Sequence, residues 1–189
     1  MDHFNACNFL PNRVTRFAKS YFSLNKIPFL SAFCVGLLTY MFTLTNKLVN
    51  FDDVYCLFSR GGTLESGRWG LYLIWRFLPN LSMPWLHGIT TLFLLSLSAC
   101  VIVRALQIRT PALQGFTAAL FVCFPSMIGI VTYMFDASAY AVSVFMAAGS
   151  LALGAAAADE LGSGRRALRR SIGSLLLSVA LCVLSLSIY

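Results

Sequence analysis

Apolar stretches of membrane length recur along the chain: residues 27–49, 81–103, 112–132, 137–158 and 171–189 run almost without charge. A helix rises about 1.5 Å per residue, so about 20 residues cross a hydrocarbon core of roughly 30 Å. In lipid every backbone N–H and C=O must find its partner inside the protein, and for continuous apolar runs a helix is the way to do so. The expected fold is therefore all-α, a polytopic membrane helix bundle with about five transmembrane helices. At 189 residues the spans have to pack on one another as one domain.

Composition agrees, with 58% hydrophobic residues, 11% charged residues and a mean hydropathy of +0.76. Soluble domains carry about 25% charged residues. The net charge of +7 would suit nucleic acid only as a continuous basic patch, and here the basic residues are dispersed between apolar spans. Nucleic acid is excluded as a partner on that ground, and membrane lipids are expected instead. Cys7, Cys34, Cys56, Cys100, Cys123 and Cys182 stand singly, without metal-site or redox spacing, and read as small core hydrophobes. No internal repeat is evident, which leaves a repeat-built transporter without support.

Charge placement orients the spans. With residues 1–26 in the cytoplasm, Arg13, Arg16, Lys19, Lys26, Arg104, Arg109, Arg165, Arg166, Arg169 and Arg170 all fall inside, against Asp2, Asp159 and Glu160. That is the whole excess of +7. Lys47, Arg60, Arg68 and Arg76 then face out with Asp52, Asp53, Glu65 and Asp136, in keeping with the positive-inside rule. Residues 49–80 form the first external loop and residues 159–170 a basic cytoplasmic loop. The first span is expected to serve as its own insertion signal.

Local features refine this outline. The amphipathic piece RFAKSYFSL suits a membrane surface, and Pro28 is expected to open the first span. WGLYLIWRFL, Trp69 to Leu78, is too short to span and suits an interfacial helix in the first external loop. Trp69, Tyr72, Trp75 and Trp85 read as interfacial belt aromatics rather than sugar-stacking residues. Pro125 should kink the third span unless neighbours satisfy the freed carbonyl. GSLALG, in the fourth, is a small-residue packing face. His87, just inside a span, is expected to bond a neighbouring helix rather than a metal.

The stretch NFDDVYCLFSRGGTLESGRWG, residues 50–70, is the natural place for chemistry. It holds three of the seven acidic residues, Asp52, Asp53 and Glu65, with Arg60 and Arg68 nearby. A carboxylate can take a proton from a hydroxyl, and guanidinium groups can hold a phosphate. Adjacent side chains diverge by about 100° in a helix, so one of Asp52 and Asp53 is expected to be the base. Its neighbour would ligate a divalent cation, Mg or Mn, or pair with Arg60 or Arg68. Outside the cytoplasm a transferase must draw on a group activated in the membrane, such as a polyprenyl-phosphate sugar. The bland reading of the same loop is a solvated segment kept out of lipid by its charges.

FDD at 51–53, SGRWG at 66–70 and YMFDAS at 133–138, in this topological order, resemble the bacterial O-antigen glucosyltransferases of the Gtr type II group, membrane enzymes of the GT-C class. The resemblance implies a bacterial inner-membrane, multi-pass transferase that moves glucose from a polyprenyl-phosphate carrier to a surface glycan such as O-antigen. It implies a catalytic role for Asp52 or Asp53 and a donor pocket shaped by Arg60, Arg68 and Trp69. Asp136 would be a second acidic group facing that pocket. Family proteins are considerably longer, so the chain is expected to be an N-terminal portion, inactive alone. The rival readings are a lipid-linked sugar carrier or flippase subunit and a non-enzymatic structural membrane protein.

Overall fold

The computed structural model of the chain describes residues 12–46, 64–77, 83–160 and 165–189. Among these residues seven helices and no strands are found. They are α1 (Asn12–Thr45), α2 (Trp69–Trp75), α3 (Pro84–Ala105), α4 (Pro111–Cys123), α5 (Pro125–Thr132), α6 (Ala137–Glu160) and α7 (Arg165–Ile188). Four helices are long and apolar enough to cross a membrane, and α4 and α5, bent by 50° at their junction, give a fifth if the pair is counted as one broken span. The expected helical membrane bundle is present.

Helix starts follow proline chemistry. Pro84, Pro111 and Pro125 each occupy the first turn of α3, α4 and α5, where a missing N–H leaves no bond unmade. Pro28 behaves otherwise: it lies inside α1, which begins at Asn12 and passes through it, so no helix start falls at Pro28. One backbone bond is lost there, but in lipid the remaining bonds have no partner outside the helix. The α3 end uses left-handed geometry at Gln107, φ 54°. Gln107 N–H bonds the Arg104 carbonyl at 2.9 Å and Ile108 N–H reaches the Val103 carbonyl at 3.2 Å. This Schellman closure reverses the chain within a few residues of Pro111.

Helix α3 packs along α6, and two further helix pairs are joined by hydrogen bonds between side chain and backbone. Parallel α1 and α4 are joined by Ser31 Oγ donating to the Gly115 carbonyl at 2.8 Å and Tyr40 Oη to the Val122 carbonyl at 2.8 Å. Antiparallel α6 and α7 meet along serines seven residues apart on each helix. Ser143 and Ser185 exchange hydroxyl-to-carbonyl bonds of 2.9 Å, Ser150 and Ser178 do so at 2.8 Å, and Ser171 Oγ reaches the Ala157 carbonyl at 2.7 Å. Helices in lipid associate through close contact and such hydrogen bonds, since their apolar surface is already dry. Gly149 and Gly154, from the GSLALG stretch, sit on this seam opposite Leu181 and Ser178.

The main core, with Leu92, Leu95, Ala99, Val122, Val131 and Ala141, joins α1, α3, α4, α5 and α6. A second cluster forms at one end of the bundle, where Leu71 and Trp75 of α2 pack with Ile130, Ala139, Tyr140 and Ile188. At that end α2, the start of α3, the turn before α6 and the end of α7 converge. The opposite end joins α1 to α3 through Arg104 Nε donating to Asn25 Oδ1 at 2.7 Å.

Candidate functional site

The end that carries α2 is the candidate site. Its construction begins at the SGRWG segment. A turn over Leu64 to Gly67 closes with Gly67 N–H on the Leu64 carbonyl at 3.1 Å, and Gly67 takes φ 77°, a conformation most side chains resist. Arg68 then precedes the first turn of α2. Two residues on, Gly70 is buried so tightly that a Cβ there would collide with Ser187 Oγ. Each glycine of the motif thus has its own reason, one conformational and one steric.

Helix α2 divides its residues cleanly. Gly70, Leu71 and Trp75 are buried against the bundle, while Trp69 and Leu73, with Phe77 in the turn that follows, form an exposed apolar stripe at fourfold spacing. Such a stripe suits the interfacial helix expected here. Trp75, however, is not a belt aromatic: it is buried, and its Nε1 donates to Asp136 Oδ1 at 2.6 Å. A buried indole N–H requires an acceptor, and a carboxylate is the strongest available.

Asp136 is only 3% exposed. It follows the turn at Tyr133, whose carbonyl accepts its N–H at 3.0 Å, and its own carbonyl takes the Tyr140 N–H at 3.0 Å at the start of α6. One turn on, Tyr140 Oη accepts a 3.3 Å hydrogen bond from Arg68 Nη1, and the Tyr140 ring lies 5.6 Å from that of Tyr189. His87, buried at the start of α3, shares a 3.2 Å hydrogen bond with Ser138 Oγ of α6, the interhelical role expected of it. Arg76 stacks over Tyr72 at 5.7 Å.

The structure thus brings Arg68 and Asp136 to the same end of the bundle and leaves Arg68 and Trp69 exposed. Asp52, Asp53 and Arg60 lie outside the described residues. Trp75 and Tyr140 were missed as site residues, although Tyr140 stands four residues after Asp136, the spacing that puts two side chains on one helical face. Among the described residues no group of three or more His, Cys, Asp or Glu side chains could hold a metal ion. The described charges, Glu65, Arg68, Arg76, Asp136 at this end and Lys26, Arg104, Arg109, Asp159, Arg170 elsewhere, all stand at or beyond the ends of the membrane-length spans rather than in mid-span.

Residues 41–189 match the family model described as Glucosyl transferase GtrII. No curated protein and no solved structure matches the chain.

Proposed function

The chain belongs to the glucosyl transferase GtrII family, and from that membership we propose that it takes part in moving glucose from a polyprenyl-phosphate carrier to a surface glycan such as O-antigen. The reaction would occur on the α2 end of the bundle, facing away from the cytoplasm across the bacterial inner membrane. One of Asp52 and Asp53 takes the proton from the acceptor hydroxyl. The acceptor oxygen attacks the anomeric carbon, the bond from that carbon to the phosphate oxygen breaks, and polyprenyl phosphate departs with the electron pair. Arg68, with Arg60 from the same loop, meets the charge left on the phosphate, and Trp69 borders the sugar.

The observation that carries this reading is Arg68 itself. It is an exposed guanidinium fixed by Tyr140 at the end of a membrane bundle, where a lipid-borne phosphate and a water-borne acceptor can meet. A carrier or flippase would need ionisable groups near the bilayer midplane, and the described charges stand at or beyond the ends of the spans. The test is Asp52→Asn and Asp53→Asn in the natural protein, assayed for transfer from polyprenyl-phosphate glucose. Asparagine keeps size and hydrogen bonding but takes no proton, so one variant should abolish transfer while still inserting. Full activity in both single variants and in the double variant would sink the assignment.

A further inference from the structure

Two hydrogen bonds tie α2 to the start of α6, one at each end of the short helix. Arg68, just before α2, donates to Tyr140, and Trp75, its last residue, donates to Asp136. Asp136 and Tyr140 are joined by the first backbone bond of α6. The path from Arg68 through α2 to Trp75, across to Asp136, along to Tyr140 and back to Arg68 is therefore closed. The Tyr189 ring packs against that of Tyr140 at a tilt of 58°, and Gly70 seats the helix on Ser187.

A helix of seven residues is far below the length that holds itself together in water. Its place is set by the groups that clamp it. Arg68 is exposed, and its planar fork carries five N–H donors, of which the bond to Tyr140 engages one. The geometry points to Trp75, Asp136 and Tyr140 as positioning residues that hold Arg68 in place for a phosphate, without themselves touching it. This inference rests on the α2 end being the donor site. Asp136 acts in it as a buried hydrogen-bond acceptor, a role that an asparagine oxygen can fill. An acid that worked by its charge on a cation or a sugar could not be replaced in that way.

The experiment is equilibrium binding of polyprenyl phosphate to the whole chain in lipid nanodiscs, with inorganic phosphate as the lipid-free probe, alongside transfer kinetics in the natural protein. Trp75→Phe and Tyr140→Phe should each weaken polyprenyl-phosphate binding about tenfold, the scale of one charge-assisted hydrogen bond. Asp136→Ala should weaken binding at least as much as Trp75→Phe, and combining the two should cost less than the sum of the single effects, because both remove the Trp75–Asp136 bond. Asp136→Asn should stay close to the parent, as should Arg76→Lys outside the clamp. In kinetics the loss should appear in KM for the donor and leave KM for the acceptor unmoved. If Tyr140→Phe does not fold, the comparison of Asp136→Asn, Asp136→Ala and Trp75→Phe still decides. The same variant pattern with inorganic phosphate would keep the clamp and assign a free phosphate.

Asp136→Asn as damaging as Asp136→Ala, beside a neutral Trp75→Phe, would overturn the inference, and so would a parent chain that binds neither probe. The expected binding pattern with no sugar transfer would leave the clamp standing and remove the glucosyltransferase reading. Transfer with an unchanged donor KM in Trp75→Phe and Tyr140→Phe would do the reverse.

Discussion

The Tyr40 hydroxyl of α1 lies 2.8 Å from the carbonyl oxygen of Val122, at the point where α4 gives way to α5. In an unbroken helix that carbonyl would accept the Ser126 N–H four residues on. Phe124, with ψ 137°, takes the extended backbone that a following proline favours, and α5 restarts at Pro125. The freed carbonyl faces α1, and Tyr40 supplies the donor. The 50° bend is thus stabilised by a side chain more than 80 positions away in sequence.

Tyr40→Phe should therefore destabilise the bundle by about 1 kcal/mol, in the range measured for hydrogen bonds between membrane helices. Reversible unfolding in detergent would measure it. The same substitution in a Pro125→Ala background should have a smaller effect, since a straighter helix lets Ser126 take over the bond. Equal effects in both backgrounds would show that the hydroxyl does not serve the break.

The α6–α7 seam makes a prediction with a sign that composition alone would not give. Ser143 with Ser185 and Ser150 with Ser178 form reciprocal layers, whereas the third layer pairs Ser171 with Ala157, whose side chain offers no hydroxyl in return. Ala157→Ser should complete it and stabilise the chain by up to about 1 kcal/mol. Ser150→Leu should instead force the helices apart and destabilise by about 2 kcal/mol, the scale of overpacking. Unfolding midpoints of the two variants moving in the same direction would count against this register.

Much of this architecture was legible in the chain, and the unread parts have physical causes. Span positions followed from apolar run length, and the bend at Pro125 from the missing N–H, because both are local properties. The course of α1 through Pro28 was not local: a proline signals a helix boundary in water, but lipid withholds the alternative partners that make a boundary favourable. The seven-residue serine spacing of α7, Ser171, Ser178 and Ser185, was present in the sequence but is too sparse to stand out as a repeat. Arg68 and Asp136 could be named as candidates because charge is rare here. Trp75 could not be told from Trp69, since one lipid-facing stripe and one buried stripe of a short helix are both aromatic and apolar.

The two glycines of SGRWG should fail differently. Gly67→Ala meets open space but a φ of 77°, so it should destabilise the turn by about 1 kcal/mol, and Gly67→Asn, better suited to that conformation, should do less harm. Gly70→Ala keeps an ordinary backbone yet drives a methyl group into Ser187, and it should displace α2 and lower transfer more than Gly67→Ala. Ser187→Ala should restore only part of the loss, because Ile188 Cγ1 at 3.0 Å and the Ser187 carbonyl carbon at 3.1 Å still crowd the new methyl. Transfer rates of the three variants and the double variant would check the order. Full rescue would place the conflict at the hydroxyl alone.

Orientation supplies the last prediction, and two separate lines bear on it. Basic residues count toward one side, with Arg104 and Arg170 at span ends and Arg109 between spans. Independently, hydrogen bonds gather the ends of the helices. Arg104 meets Asn25, and Ser171 meets Ala157, while Trp75, Asp136, Tyr140 and Tyr189 meet at the α2 end. If the basic side is cytoplasmic, a reporter that works only outside should be active when fused after Gly62, Ser138 or Tyr189 and silent after Arg109 or Gly164. Agreement between the Gly62 and Tyr189 fusions matters most, because the contact of α2 with the end of α7 requires the two positions to share a side. The inverse pattern would put Arg68 in the cytoplasm, where soluble activated sugars are at hand, and a lipid-borne donor on this face would lose its rationale.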